Sequence, residues 1–282
     1  MKLKQLQILS NKSLKGLYST EEINAFFRLL AEAYLSYTRF EVYINKEKEL
    51  DEDTIAKFED ASKRLRDFEP IQYILGETEF YGLPFKVTKD TLIPRPETEE
   101  LVALITSEYK NDTSGLAILD IGTGSGCIAI SIAKTLLKSK VSAIDISAEA
   151  LKVAKQNATS NKVLIAFKQQ DILATEKLST NYDIIVSNPP YVRELEKELM
   201  QDNVLNFEPE KALFVSNEDP LVFYKKISQL AIEFLRPQGS LFFEINEYLG
   251  PEMEEMLNNL GFSEVLIHKD MFHKNRFAQC QK

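Results

Sequence analysis

The chain has 282 residues, 44% of them hydrophobic and 27% charged, a composition that excludes a disordered or fibrous polymer and supplies enough apolar material for two domains. With 34 basic and 43 acidic residues the formal charge is -9, and no basic patch stands out of the kind that neutralises nucleic-acid phosphates. No apolar run reaches the roughly 18 residues of a membrane span, no secretory leader is read at the start, and Cys127 and Cys280 lack metal-site or disulfide spacing, so a cytoplasmic setting is expected.

The first seventy or so residues read as helical. Ser19 stands three positions before Glu22, a capping-box pattern, and Ile23, Phe26, Phe27, Leu30 and Tyr34 then fall on one helix face. A second amphipathic stretch carries Ile55, Phe58 and Leu65. From Gly76 the period changes. "GETEFYGLPFKV" suggests a short hairpin around Gly82, and "LIPRPETEELV" follows as a proline-stiffened connection and a candidate hinge.

Strand and helix signals then alternate. Strands are expected at 116–121, 141–145, 163–167, 182–187 and 240–245, and helices at 127–137, 147–157, 221–235 and 252–260, with "RPQG" as the turn before the last of these strands. Gly261 stops the last helix, and two short apolar stretches close the chain. Such alternation predicts an α/β fold with a mostly parallel sheet covered on both faces.

"LDIGTGSGCIAI" places Gly122, Gly124 and Gly126 between a strand and a helix, where glycines permit a tight turn and close approach of a ligand. The spacing departs from the dinucleotide fingerprint, and an ordinary strand–helix turn is the plain alternative. The next strand ends on Asp145, a position from which a carboxylate accepts hydrogen bonds from ribose hydroxyls. Asp171 follows the third strand, within reach of an adenine amino group, with Ile172 as an apolar wall.

The fourth strand, Ile184–Ile185–Val186, stops on Asn188-Pro189-Pro190-Tyr191. Prolines end the strand and restrain Asn188 and Pro189 to extended geometry. The Pro189 carbonyl and the Asn188 side-chain carbonyl are two acceptors at a fixed separation, which suits a planar NH2 group, and Tyr191 can pack on that flat group. An amide nitrogen is a poor nucleophile because its lone pair is delocalised, so orientation towards an electrophile counts for more than a base. The implied reaction is methyl transfer from S-adenosylmethionine to a planar NH2. His268 and His273 lie near the end of the chain and receive no catalytic role.

Together with "EPIQYILG", "LIPRPETEELV", "AIDIS", "FEPEKALF" and "FFEIN", these motifs make the chain resemble the HemK/PrmC family over nearly its whole length. That family methylates, at N5, the glutamine of the Gly-Gly-Gln motif in bacterial peptide chain release factors. The resemblance implies a helical N-terminal domain over 1–72 that helps hold the release factor and a β-hairpin linker over 73–97. It also implies a seven-stranded Rossmann-like class I methyltransferase domain over 98–282. It implies that Gly122, Thr123, Gly124, Ser125 and Gly126 surround the methionine part of the cofactor, that Asp145 holds the ribose, and that Asp171 and Ile172 contact adenine. Asn188, Pro189, Pro190 and Tyr191 would hold the glutamine amide, with Asn188 also near the cofactor and no metal used. A monomer without membrane or direct nucleic-acid contacts is expected.

Asn246 stands where the family usually has Gly, and Pro220-Leu221 where it has Gly-Leu. The long segment 193–219 is either a lid or binding loop or a solvated surface. Two other functions compete: a methyltransferase acting on exocyclic amines of nucleic acid, and a catalytically silent module that only binds release factors.

Overall fold

The computed structural model describes residues 1–282, except for the side chain of Leu199, and divides into two compact units: residues 1–76 with 201–207, and residues 77–200 with 208–282.

The first unit is built from α1 (Leu3–Leu14), α2 (Thr20–Leu35), α3 (Arg39–Ile44), α4 (Glu52–Arg66) and α5 (Ile71–Leu75). The expected capping box opens α2: the Glu22 N–H donates to Ser19 Oγ at 3.2 Å, and the Ser19 N–H donates to the Glu22 carboxylate at 3.0 Å. Ile23, Phe27 and Leu30 are buried in one cluster with Phe58 and Leu65 of α4, while Phe26 and Tyr34 are half-buried at its edge.

The second unit begins with a hairpin, β1 (Glu77–Phe80) and β2 (Leu83–Lys86). The proline-stiffened connection is then helical sooner than its sequence suggests, because α6 (Pro96–Glu108) starts on a proline. The first helical position needs no N–H donor, and the fixed φ of proline suits it. The alternating part follows as β3 (Ala117–Ile121), α7 (Cys127–Thr135), β4 (Lys140–Asp145), α8 (Ala148–Ser160), β5 (Ile165–Gln169) and β6 (Tyr182–Ser187). Next come β7 (Val192–Arg193) and a 3-10 turn over Glu194–Leu199, then α9 (Asp202–Phe207), which belongs to the first unit, and, again in the second, α10 (Glu210–Leu213) and β8 (Phe214–Val215). The chain ends with α11 (Val222–Phe234), β9 (Leu235–Glu244), α12 (Gly250–Asn259), β10 (Ser263–Lys269) and β11 (Asn275–Gln281).

Seven strands form one sheet in the order β10-β11-β9-β6-β3-β4-β5, with β11 antiparallel to both its neighbours and the other pairs parallel. Two local expectations are corrected. "RPQG" is not a turn ahead of β9 but a bulge within it: the pairing jumps from Tyr182↔Leu235 to Ile184↔Ser240, and Gln238 adopts φ 64°. The third strand of the alternating part starts at Ile165 rather than Val163, whose N–H is taken by the Ala158 carbonyl at the end of α8.

Period-two alternation divides each central strand between two cores. Ile118, Ile184, Val186 and Phe242 pack with α6 and α7, whereas Leu119, Ile185, Leu241 and Phe243 pack with α11 and α12. Asn157 on α8 binds three segments together. Its Oδ1 accepts from the Lys86 N–H at 2.7 Å, and its Nδ2 donates to the Lys86 and Ser125 carbonyls, both at 2.9 Å. Asn157→Ala therefore strands backbone groups of the hairpin and of the glycine turn, and a loss of about 2–4 kcal/mol is expected in urea unfolding; an unchanged midpoint would contradict this role.

Candidate functional site

In the parallel register Ile121 lies level with Ile144 and Ser187, and Ser187 with Phe243. The next residue of each strand therefore stands in one row at the carboxyl edge of the sheet: Gly122, Asp145, Asn188 and Glu244. Three of the four, all but Glu244, line a cavity of about 700 Å³, together with Gly124, Asp171, Ile172, Pro189 and Pro190. Its ionisable lining is Asp90, Asp145, Glu149, Asp171 and Glu210 against Lys89 and Lys211, an acidic balance.

The glycine turn is shaped by its neighbours. The Gly122 and Thr123 N–H groups both donate to the Ile144 carbonyl, at 2.9 and 3.1 Å, which draws the turn over β4. Gly124 has φ 54° and donates its N–H to Asp145 Oδ2 at 2.8 Å, while Asp145 Oδ1 accepts from the Ser147 N–H at 2.8 Å. Gly126 has φ 85°, and a Cβ there would lie 2.9 Å from Ile130 Cδ1, so this glycine serves packing of the turn on α7. Burial pushes the Asp145 carboxyl above its usual range, and the two backbone donors oppose that.

Not every expected residue faces the cavity. Thr123, Ser125, Gly126 and Tyr191 do not line it. Thr123 instead donates its hydroxyl to Asp120 Oδ2 at 2.6 Å, and Ser125 is buried beneath the turn. The Tyr191 hydroxyl donates to Glu244 Oε1 at 3.0 Å. Asp171 is exposed, with Oδ1 accepting from the Leu173 N–H at 2.9 Å, and Ile172 is half-buried beside it.

Three groups were not singled out by residue type or spacing. Glu244 is 1% exposed, accepts the Thr98 hydroxyl at 2.7 Å and the Tyr191 hydroxyl, and has its carboxyl raised by burial. Thr98 in turn accepts from Asn188 Nδ2 at 3.3 Å. Glu208 is the third, buried and ion-paired with Arg95, and it accepts the Ile93 N–H at 3.2 Å. A carboxylate directly after the apolar pair Phe242-Phe243, at the end of an apolar strand, was the available signal for Glu244. The segment 193–219 contributes Pro209, Glu210, Lys211, Ala212 and Phe214 to the cavity wall. Asn246 is committed at both ends of its amide: Nδ2 donates to the Tyr191 carbonyl and to Glu196, and Oδ1 accepts the Tyr248 N–H.

A seven-stranded sheet with one reversed strand, a glycine turn after its first parallel strand and an Asn-Pro-Pro-Tyr end on the neighbouring strand define a Rossmann-like class I methyltransferase. Residues 99–210 match the Methyltransferase small domain, and residues 7–76 match the PrmC N-terminal domain. A release factor glutamine methyltransferase of Flavobacterium psychrophilum is 47% identical over 95% of this chain and 95% of its own length. One of Bacteroides thetaiotaomicron is 46% identical, over 96% and 97%. A methyltransferase from Pyrococcus furiosus shares the fold alone, with a TM-score of 0.54 at 19% identity over 72% of this chain and 90% of its own. The chain belongs to the release factor glutamine methyltransferase family.

Asp120, at the end of β3, is fully buried, and its Oδ1 has no hydrogen-bond partner. Desolvation raises its carboxyl to about 7 from 3.8, against the Thr123 hydrogen bond that lowers it. A raised carboxyl favours the folded state below 3.8, and that contribution is lost as pH climbs through about 7. Asp120→Asn removes this titration. The stability of the variant relative to the wild type should therefore rise between those two pH values, read from urea unfolding across the range, and a constant difference would contradict the burial argument.

Proposed function

We propose that the chain transfers a methyl group from S-adenosylmethionine to the side-chain amide nitrogen of the glutamine in the Gly-Gly-Gln motif of bacterial release factors. The observation that carries this is the disposition of Asn188. Its amide nitrogen is tied inward to Thr98, which leaves its carbonyl as an acceptor at the edge of an acidic cavity, beside two prolines. Membership of the release factor glutamine methyltransferase family supports the choice of substrate.

The cavity fits the donor. About 700 Å³ accommodates a nucleoside with an amino-acid arm, and its acidic lining complements a cation. Gly122, Thr123, Gly124, Ser125 and Gly126 hold the methionine part, with Gly122 and Gly124 at the surface and the other three shaping the turn from behind. Asp145, kept in place by its two backbone donors, takes the ribose, and Asp171 and Ile172 take adenine. Bound there, S-adenosylmethionine supplies an electrophilic methyl group on a sulfonium.

The chain's own residues then act by orientation. The Asn188 and Pro189 carbonyls accept hydrogen bonds from the two N–H groups of the glutamine NH2, turn the face of the nitrogen towards the methyl group and stabilise the positive charge that develops as the N–CH3 bond replaces the S–CH3 bond; a neutral thioether is left, and the surplus proton on nitrogen passes to solvent. Pro190 holds the main chain extended, and Tyr191, turned away from the cavity, anchors the tetrapeptide through its hydroxyl on Glu244. Residues 1–72 grip the release factor, the hairpin segment 73–97 joins them to the catalytic part, and residues 98–282 perform the transfer. The enzyme works as a monomer in the cytoplasm, on a protein rather than on nucleic acid or a membrane, and without a metal. The charge of -9 supports a protein partner, and among the described residues no helix is long and apolar enough to cross a membrane.

Incubation with labelled S-adenosylmethionine should label a wild-type release factor and neither its Gly-Gly-Ala variant nor a DNA and RNA mixture. Label on nucleic acid would reassign the substrate, and binding of the donor without any transfer would point to a silent module. Asn188→Ala should lower turnover by about 100-fold or more, while donor affinity by calorimetry stays within a few-fold. Turnover equal to wild type in that variant would remove Asn188 from the mechanism.

A further inference from the structure

Asn188 can present either its carbonyl or its NH2 to a ligand, and the two are opposite in hydrogen-bonding sense. Its side chain meets Thr98 Oγ1, which sits in the first turn of α6 and also meets Glu244 Oε2, at the end of β9. A hydroxyl has one hydrogen. An ionised Glu244 accepts only, so the Thr98 hydrogen points to Glu244, and the Thr98 oxygen is left to accept from Asn188. The atom facing Thr98 must then be Nδ2, and Oδ1 faces the other way.

We propose that Thr98 and Glu244 are positioning residues for methyl transfer: Glu244 sets the direction of the Thr98 hydroxyl, and Thr98 thereby locks the Asn188 amide with its carbonyl towards the substrate NH2. The proposal rests on the role given to Asn188 above. Both residues are deeply buried, Thr98 at 2% and Glu244 at 1% exposure, so water does not substitute for either in the chain of contacts. Tyr191 donates to the second oxygen of Glu244, so the same carboxylate holds both ends of the Asn188–Tyr191 segment. Parallel pairing makes the contact possible, because Ser187↔Phe243 puts Asn188 and Glu244 side by side on the face covered by α6.

A proton on Glu244 changes the logic. A protonated carboxyl can donate to Thr98, which frees the Thr98 hydrogen and lets the Asn188 amide rotate, so that NH2 confronts NH2. The groups around the carboxyl are Thr98 and Glu97 on α6, Tyr191 after β6, Arg276 on β11, Tyr224 on α11 and Cys127 on α7. Burial raises the Glu244 carboxyl, as the nearby charge of Glu97 also does, while Thr98, Tyr191 and the Arg276 charge oppose the rise. Turnover should accordingly fall on the acid side at a pH above the ordinary carboxylate range.

The test uses the full-length enzyme with a release factor and S-adenosylmethionine. Thr98→Val, Thr98→Ser and Glu244→Gln are made in the wild type, and Thr98→Val is also made in Asn188→Ala. Thr98→Val is expected to lower kcat about tenfold or more with KM for the release factor and donor affinity nearly unchanged, and to lower Tm because a buried Glu244 oxygen loses its donor. Thr98→Ser should return kcat to within about threefold. On the Asn188→Ala background, Thr98→Val should cost less than about twofold, as expected of residues acting through one another. Glu244→Gln should abolish the acid-side fall in kcat. Wild-type kcat in Thr98→Val, or full and independent losses in the double variant, would overturn the relay while leaving Asn188 in place. Wild-type turnover in Asn188→Ala alone would overturn both the relay and the role it serves.

Discussion

The parallel register across β9, β6, β3 and β4 is the constraint from which the rest of the site follows. Because Phe243, Ser187, Ile121 and Ile144 are held level, Glu244, Asn188, Gly122 and Asp145 emerge in a single row where the strands end. A slip by one residue in any of the strands would send its member of the row to the opposite face of the sheet. The apolar residues on both faces oppose such a slip, since each central strand is packed from two sides.

The row is polar, and its position at the edge of an apolar sheet has a cost that local hydrogen bonds offset. Glu244 is wrapped by Thr98 and Tyr191, and Asp145 by two backbone amides. Asp120 is the exception: one oxygen takes the Thr123 hydroxyl and the other has no partner, which is why desolvation dominates it. These carboxylates lie beside the turn and the tetrapeptide, not in the wider core. Apolar packing on both faces of the sheet supports this polar row.

Much of the architecture was legible because its signals are local. The capping box at Ser19 and Glu22, the hairpin around Gly82 and the alternation from β3 to β6 each depend on residues close in the chain. Boundaries were less legible where a local signal had two meanings. Pro96 reads as a stiff connection yet starts α6, and Pro237 with Gly239 reads as a turn yet forms a bulge, where the Gly239 backbone comes so close to the Asp183 carbonyl that a Cβ would lie 3.1 Å from it. The glycine turn was also read more uniformly than it is built: only Gly122 and Gly124 of its five residues reach the cavity.

By itself the sequence determined the class of fold, the glycine turn, the Asn-Pro-Pro-Tyr end and the family, since each is written in short runs whose chemistry does not depend on distant neighbours. Tertiary structure alone decided which side of Asn188 faces outward. That choice passes through Thr98, 90 positions away from Asn188, and Glu244, 146 positions away from Thr98. Hydrogen-bond direction is set by the partner across space, and burial and neighbouring groups shift the proton affinity of that partner, so neither can be read from a chain whose strands have not yet been placed side by side.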